Sequence, residues 1–89
     1  MSVRRRVLVH GRVQGVFFRD SVRQRADGRG LAGRVRNRDD GAVEAVFEGA
    51  QEAVEDLVRF CESGPSSAEV ERVDVSDEEP EGLEGFAVR

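Results

Sequence analysis

The sequence lacks several residue types, and their absence excludes several classes of protein. Lysine, threonine, isoleucine, tyrosine and tryptophan do not occur, and Cys61 is the single cysteine. One cysteine excludes an internal disulfide and a metal site built from several cysteines, so a reducing cytoplasm is the simplest location. No apolar run approaches the ~20 residues that span a bilayer, and Val7–Val9 is too short for the core of a signal peptide.

What is present fits one small globular domain. The chain has 89 residues, of which 38% are apolar and 36% are charged, and the apolar residues fall in periodic clusters unlike those of a disordered segment. By surface scaling, a chain of this length hides roughly 60–65% of its unfolded surface, which is enough for one modest core. We therefore expect a single domain, residues 1–89, that is monomeric by default.

Charge divides the chain into a basic and an acidic part. Residues 1–38 contain 11 arginines and two aspartates, a net charge of +9, whereas residues 39–89 contain three arginines and 16 acids, a net charge of −13. Codon bias and adaptation to salt are both open explanations for the missing lysine. The charge distribution predicts that an anion binds within residues 1–38, while the acids of residues 44–84 are expected to be solvated.

Hydrophobic spacing predicts two helices and five strands. Phe18, Val22 and Ala26 recur at helical spacing, and an Asp-Gly turn at 40–41 joins two alternating segments as antiparallel strands. The predicted strands are 4–10, 31–38, 42–48, 70–75 and 86–88, the predicted helices are 18–27 and 50–63, and 76–84 is an acidic loop. This order, βαββαβ plus a short C-terminal strand, predicts an α+β, ferredoxin-like α/β sandwich, an antiparallel sheet with two helices on one face.

The loop between the first strand and the first helix is the best candidate for chemistry. Gly11 and Gly15 let its backbone curl, so that successive N–H groups converge at a helix N-terminus, where anions bind. Arg19 lies in the first helical turn, where a cation opposes the helix dipole. A bound anion would make that placement favourable, because the guanidinium can donate hydrogen bonds to two of its oxygens.

Three other residues each have a structural and a functional interpretation. Asn37 ends the second predicted strand, where it serves either turn formation or the positioning of a water molecule. His10, the single histidine, is a candidate proton shuttle, but its place at a strand end favours a structural role. Cys61 lies on the apolar face of the second helix and is predicted to be a buried, unreactive side chain.

Two stretches give the chain a resemblance to the acylphosphatase family. Residues 11–19, GRVQGVFFR, match all seven fixed positions of that family's G-x-V-Q-G-V-x-F-R loop, and residues 33–44, GRVRNRDDGAVE, are similar to its G-[WY]-V-R-N-x-x-D-G-x-V-E pattern. Gly64-Pro65 and Phe86–Arg89 also fit, so the resemblance covers nearly the whole chain. Arg34 replaces the usual aromatic residue, and Arg29 stands where an apolar residue is common.

The resemblance implies a ferredoxin-like fold and metal-independent hydrolysis of acyl phosphates to a carboxylate and inorganic phosphate. It implies that Arg19 and Asn37 are catalytic, Arg19 by binding the phosphoryl group and Asn37 by orienting the attacking water. It implies no cofactor and no metal. The phosphate-binding residues that it implies are Gln14, Gly15, Val16, Phe17, Phe18 and Arg19.

Two alternatives stay open at this point. One is a catalytically silent anion-binding or regulatory module of the same fold, which would bind phosphate without turnover. The other is an RNA-binding module, because ferredoxin-like sheets bind RNA by stacking bases on aromatic side chains. The strands offer only Phe47 and Phe86 for that purpose and the net charge is −4, so we expect a small acyl phosphate as the partner and neither nucleic acid nor membrane.

Overall fold

The computed structural model describes residues 2–89, which form two helices and five strands. Neither helix has the length and hydrophobicity that a bilayer crossing requires. The elements in chain order are β1 Ser2–Arg12, α1 Phe18–Gly28, β2 Ala32–Asn37, β3 Val43–Ala50, α2 Gln51–Ser63, β4 Glu69–Glu78 and β5 Phe86–Val88. All seven predicted elements are present, with boundaries that differ by a few residues.

The strands form one sheet in the order β4-β1-β3-β2-β5. The first four strands of this order pair antiparallel, as predicted. The prediction of an entirely antiparallel sheet is wrong at β5, which pairs parallel to β2. β4 and β5 lie at opposite edges of the sheet. The segment that joins them crosses at the end of the sheet where β4 finishes, so β5 starts there and runs in the same direction as β2. The predicted ferredoxin-like fold class is confirmed.

Both helices pack on one face of the sheet, and the core lies between them. On β1 the side chains of Val7 and Val9 face the helices, and Phe47 of β3 lies on the same face; all three are fully buried. The helical residues that meet this face follow the predicted spacing and are also buried. They are Phe18, Val22 and Ala26 of α1 and Ala53, Val54, Leu57 and Cys61 of α2.

β1 and β4 extend well beyond their predicted ends because Arg4–Arg12 pairs with Glu69–Glu78. β1 continues to Arg12, past a bulge between His10 and Gly11, and β4 continues to Glu78 through part of the predicted acidic loop. The Glu78 carboxylate accepts hydrogen bonds from Arg4 Nε at 2.8 Å and Arg6 Nε at 2.6 Å. These long-range pairs stabilise the end of β4, and local spacing gives no sign of them.

The sheet face opposite the helices carries a network of arginines and glutamates. Glu44 is only 7% exposed and accepts from Arg6 Nη1 at 2.5 Å and Arg36 Nε at 2.6 Å. Burial opposes ionisation of this carboxyl, but the two guanidinium groups outweigh it and hold the pKa of Glu44 below its ordinary value. The expectation that the acids are solvated is therefore wrong for Glu44, and also for Glu48, which is 5% exposed.

Glu48 fixes the segment 79–85, which crosses from β4 to β5. Its carboxylate accepts hydrogen bonds from the backbone N–H groups of Glu81, Gly82 and Leu83 at 2.8, 2.7 and 2.9 Å, and it lies 3.6 Å from Arg4 Nη1. The N–H of Glu81 contributes most to holding the pKa of Glu48 below its ordinary value. The crossover is thus anchored before it delivers β5 to the far edge of the sheet.

Acid is expected to destabilise the protein through these carboxyls. The pKa values of Glu44, Glu48 and Glu78 are all lowered in the folded state, so their stabilisation is complete above the unfolded-state pKa of about 4.3 and is lost as the pH falls through the lower folded-state values. Urea unfolding measured between pH 7 and pH 2 should show this fall. Glu48→Gln should be less stable at pH 7 and should show a shallower fall; an unchanged pH profile would contradict the role given to Glu48.

Cys61→Ser is expected to lower stability without abolishing activity. Cys61 is fully buried on α2, and burial raises the pKa of its thiol to about 12, so the reactive thiolate is scarce at neutral pH. A buried hydroxyl in its place costs about 1–3 kcal/mol. Urea unfolding and a steady-state assay would measure the two effects, and a folded but inactive variant would contradict this interpretation.

Candidate active site

The loop between β1 and α1 presents backbone donors at the start of a helix. Phe17 adopts the left-handed conformation, with φ 63° and ψ 20°, and its side chain makes no capping hydrogen bond to α1. Gly15 has a positive φ of 72°, which glycine adopts without steric cost. Among residues 2–89, no backbone carbonyl accepts a hydrogen bond from the N–H groups of residues 14–17. These donors, together with the helix dipole, form an anion-binding environment.

Side chains on both sides hold this loop in place. Gln14 Nε2 donates to the carbonyl of Arg38 at 2.7 Å and to the carbonyl of Ala42 at 3.0 Å, which ties the loop to the turn between β2 and β3. Ser67 Oγ, just before β4, donates to the Val16 carbonyl at 2.7 Å. These hydrogen bonds tie the loop to the turn between β2 and β3 on one side and to the segment before β4 on the other.

A pocket of about 290 Å³ lies at this loop. The lining residues are Val13, Gly15, Phe17, Phe18, Arg19, Asp20, Asn37 and Val88. The structure thus brings together both predicted catalytic residues and four of the six predicted phosphate-binding residues. Gln14 and Val16 do not line it: the Gln14 side chain is directed to the neighbouring turn, and Val16 packs partly against the core.

The end of the chain fixes the orientation of Arg19. Its Nη1 donates to the backbone carbonyl of Arg89 at 2.8 Å, directly after β5. The N–H of Arg89 in turn donates to the Val35 carbonyl of β2 at 2.9 Å, so the acceptor is itself held by the sheet. This contact could not be predicted from the residue types, because a backbone oxygen has no residue signature. The match of Phe86–Arg89 to the family pattern was the one available sign.

Asn37 is the last residue of β2, and its side chain takes no part in the adjacent turn. The turn is closed by the Arg38 N–H, which donates to the Ala42 carbonyl at 2.8 Å, and by Asp40 Oδ1, which accepts from the Ala42 N–H at 3.1 Å. Asn37 Oδ1 is buried and has no hydrogen-bond partner within residues 2–89. Of its two interpretations, the geometry favours an amide available to a molecule in the pocket.

The remaining candidates lie elsewhere. His10 Nε2 lies 3.1 Å from Oδ2 of Asp74 on the neighbouring strand β4, and His10 does not line the pocket. Cys61 lies in the core. Asp20, which belongs to neither predicted motif role, lines the pocket as an acid in the first turn of α1. Within residues 2–89, His, Cys, Asp and Glu side chains form no group of three or more that could hold a metal ion.

The arrangement suits an anion together with a neutral polar molecule. The guanidinium of Arg19, the loop N–H groups and the N-terminus of α1 all favour negative charge at one place. The Asn37 amide adds a donor and an acceptor that carry no charge. Val13, Phe17, Phe18 and Val88 add apolar surface to the lining, which also contains the acid Asp20. The pocket therefore fits a ligand with one anionic end and one apolar end.

Comparison with known proteins agrees with this geometry. The acylphosphatase family model matches residues 5–88. An acylphosphatase of Rubrobacter xylanophilus is 59% identical over 94% of this chain and 77% of its own length, and one of Natronomonas pharaonis is 52% identical over 98% and 95%. The crystal structure of acylphosphatase from Bacillus subtilis superposes with a TM-score of 0.93 at 40% identity, covering 98% of both chains. The chain therefore belongs to the acylphosphatase family.

Proposed function

We propose that the pocket at the β1–α1 loop hydrolyses acyl phosphates to a carboxylate and inorganic phosphate. One observation carries the proposal: Arg19, Asn37 and the loop residues Gly15, Phe17 and Phe18 all line the same pocket, although they come from separate elements. Membership of the acylphosphatase family supports this activity independently of the geometry.

In this proposal the loop and Arg19 hold the phosphoryl group. The N–H groups of residues 14–18 donate to one phosphoryl oxygen, and the Arg19 guanidinium donates to the other two. Phosphoryl transfer passes through a loose transition state, so positioning and charge stabilisation supply most of the catalysis. The hydrogen bond from Arg19 to the Arg89 carbonyl supports this role, since it fixes the guanidinium before the substrate arrives.

Asn37 would hold the water that attacks phosphorus. Its side chain lines the pocket and its Oδ1 has no partner within residues 2–89, so the amide is available to bind that water and to orient a lone pair of the water toward phosphorus. The new bond joins the water oxygen to phosphorus, and the bond from phosphorus to the carboxyl oxygen breaks. The carboxylate leaves with the bonding electron pair, and a phosphoryl oxygen takes the proton from water.

This reaction places few demands on the protein. A carboxylate leaving group has a conjugate-acid pKa of about 4, so it departs without protonation and no general acid is needed. An alkoxide leaving group would need an acid or a metal to depart. The pocket is therefore matched to acyl phosphates, and we expect little hydrolysis of ordinary phosphate monoesters.

The test is hydrolysis of benzoyl phosphate by the purified protein in excess EDTA, at low and at molar salt. Turnover well above the uncatalysed rate, with little hydrolysis of a phosphate monoester, is the expected result. A folded protein that binds inorganic phosphate but shows no turnover would instead identify the silent anion-binding module as the correct alternative.

The same geometry supports a small anion over RNA as the partner. Three arginines on the open sheet face, Arg4, Arg6 and Arg36, are paired with glutamates. Phe47 is fully buried and stacks on Phe86, with 5.7 Å between the ring centroids, so Phe47 offers no surface to a base. We propose that the protein binds no nucleic acid. A single domain, a monomeric state and a cytoplasmic location stay predictions.

A further inference from the structure

Large apolar side chains are exposed at the pocket. Within residues 2–89, three large hydrophobic side chains are exposed: Phe17 at 76%, Val75 at 45% and Val88 at 38%. Phe17 and Val88 both line the pocket that contains Arg19, whereas Val75 on β4 does not. Single exposed apolar residues are common on protein surfaces, whereas exposed apolar residues that cluster at a cleft indicate a ligand contact.

The backbone of Phe17 makes its exposure harder to explain by folding alone. Its φ of 63° lies in the left-handed region, which is sterically unfavourable for a residue with a bulky side chain, and all the other residues of positive φ within residues 2–89 are glycines. A glycine at position 17 would fit the conformation without strain. The phenyl ring is thus held in a strained position where it contributes little to the core, as is common for residues that contact ligands.

The two apolar side chains come from different elements and form the exposed rim of the pocket. Phe17 precedes α1, and Val88 belongs to β5, directly before the Arg89 carbonyl that orients Arg19. An acyl phosphate has a charged phosphoryl end and an acyl end joined through one oxygen. The loop N–H groups and Arg19 match the phosphoryl end, so the acyl end is the part of the substrate left to contact the apolar side chains that line the same pocket.

We infer that Phe17 and Val88 bind the acyl group and that they select apolar, above all aromatic, acyl groups. This inference rests on the proposed function and deepens it, because it names the substrate class. An aromatic acyl group stacks on or packs against the Phe17 ring and loses water-exposed apolar surface on binding. A small acyl group, such as acetyl, contacts less of this rim and therefore gains less binding free energy from it.

The test compares kcat/KM for benzoyl phosphate and acetyl phosphate in the wild type and in variants. The wild type should prefer benzoyl phosphate, and Phe17→Ala should lower the ratio of the two kcat/KM values about 10-fold, mainly through the KM for benzoyl phosphate. Any change common to both substrates reports on the phosphoryl end and cancels in the ratio. Phe17→Leu, which keeps an apolar side chain, should retain most of the preference.

Two further variants keep the test decisive. Val88→Ala should lower the same ratio by about 2- to 3-fold, and Val75→Ala, an exposed valine outside the pocket, should leave both substrates unaffected. An unchanged ratio in both Phe17→Ala and Val88→Ala would overturn the inference and leave the proposed function standing. If the folded wild type hydrolyses neither substrate, the proposed function fails and this inference fails with it.

Discussion

Replacing Arg19 by alanine is expected to lower kcat/KM for benzoyl phosphate by about 10³-fold or more and to abolish detectable phosphate binding at millimolar concentrations. An arginine that contacts the transferred phosphoryl group typically contributes 10³–10⁵-fold to turnover, which is roughly 4–7 kcal/mol. Arg19 lines the pocket and is oriented by the Arg89 carbonyl, so its removal takes away the cation in the first turn of α1. Substrate binding and turnover should therefore fall together.

Arg19→Lys and Arg34→Ala are the controls for this prediction. Lysine keeps the charge but cannot donate a planar pair of hydrogen bonds to two oxygens, so Arg19→Lys should stay strongly impaired. Arg34 lies on β2, does not line the pocket and forms no ion pair within residues 2–89, so its loss should leave turnover within about 2-fold. Near-normal turnover in a folded Arg19→Ala protein would contradict the proposed mechanism.

Replacing Asn37 by alanine is expected to separate turnover from binding. If Asn37 holds the attacking water, Asn37→Ala should lower kcat by about 10²–10³-fold, while inhibition by inorganic phosphate stays within about 2-fold of the wild type. The reason is that the phosphoryl contacts come from the loop and Arg19. The Asn37 side chain takes no part in the turn after β2, so the fold should tolerate the change.

The neighbouring exposed residue gives a matched control for this second prediction. Asp39→Ala changes a side chain two positions away that does not line the pocket, and it should retain kcat. Urea unfolding of the three proteins would exclude a general loss of structure. A normal kcat in Asn37→Ala would contradict the water-positioning role, and a parallel loss of phosphate affinity would place Asn37 among the phosphate-binding residues.

Local periodicity was sufficient to predict the secondary structure and the fold class. The spacing of Phe18, Val22 and Ala26 reports directly which side of α1 faces the sheet, and all three are buried. The Asp-Gly turn at 40–41 correctly predicts that β2 and β3 pair antiparallel. These signals could be read because the residues that determine each element lie within that element.

Features that depend on distant residues could not be predicted in this way. The length of β4 and the burial of Glu48 rest on ion pairs with β1 and on N–H groups of the crossover segment 79–85. The parallel placement of β5 depends on where that crossover reaches the sheet. A glutamate in an alternating strand is expected on a solvated face, and its sequence neighbours do not identify its partners.

The motif predicted which residues belong to the candidate site but only part of what they contact. Arg19 and Asn37 meet at one pocket as expected. The Gln14 side chain instead braces the neighbouring turn, and the Arg89 carbonyl holds Arg19. The positive φ of Phe17 could not be anticipated, because a phenylalanine rarely adopts it. Backbone donors and backbone conformation have no residue type that reveals them.

Titration of the ¹⁵N-labelled protein with inorganic phosphate, followed by amide NMR shifts, would show directly whether the β1–α1 loop binds phosphate. We expect a saturable change in chemical shift that is concentrated at the backbone N–H groups of residues 14–19 and at the side-chain amide of Asn37, and that is absent in Arg19→Ala. If the largest shifts lay elsewhere, for example at the groove between the helices that is lined by Arg25, Arg29 and Arg59, phosphate binding at the β1–α1 loop would be contradicted. An absence of saturable shifts at the β1–α1 loop would contradict it as well.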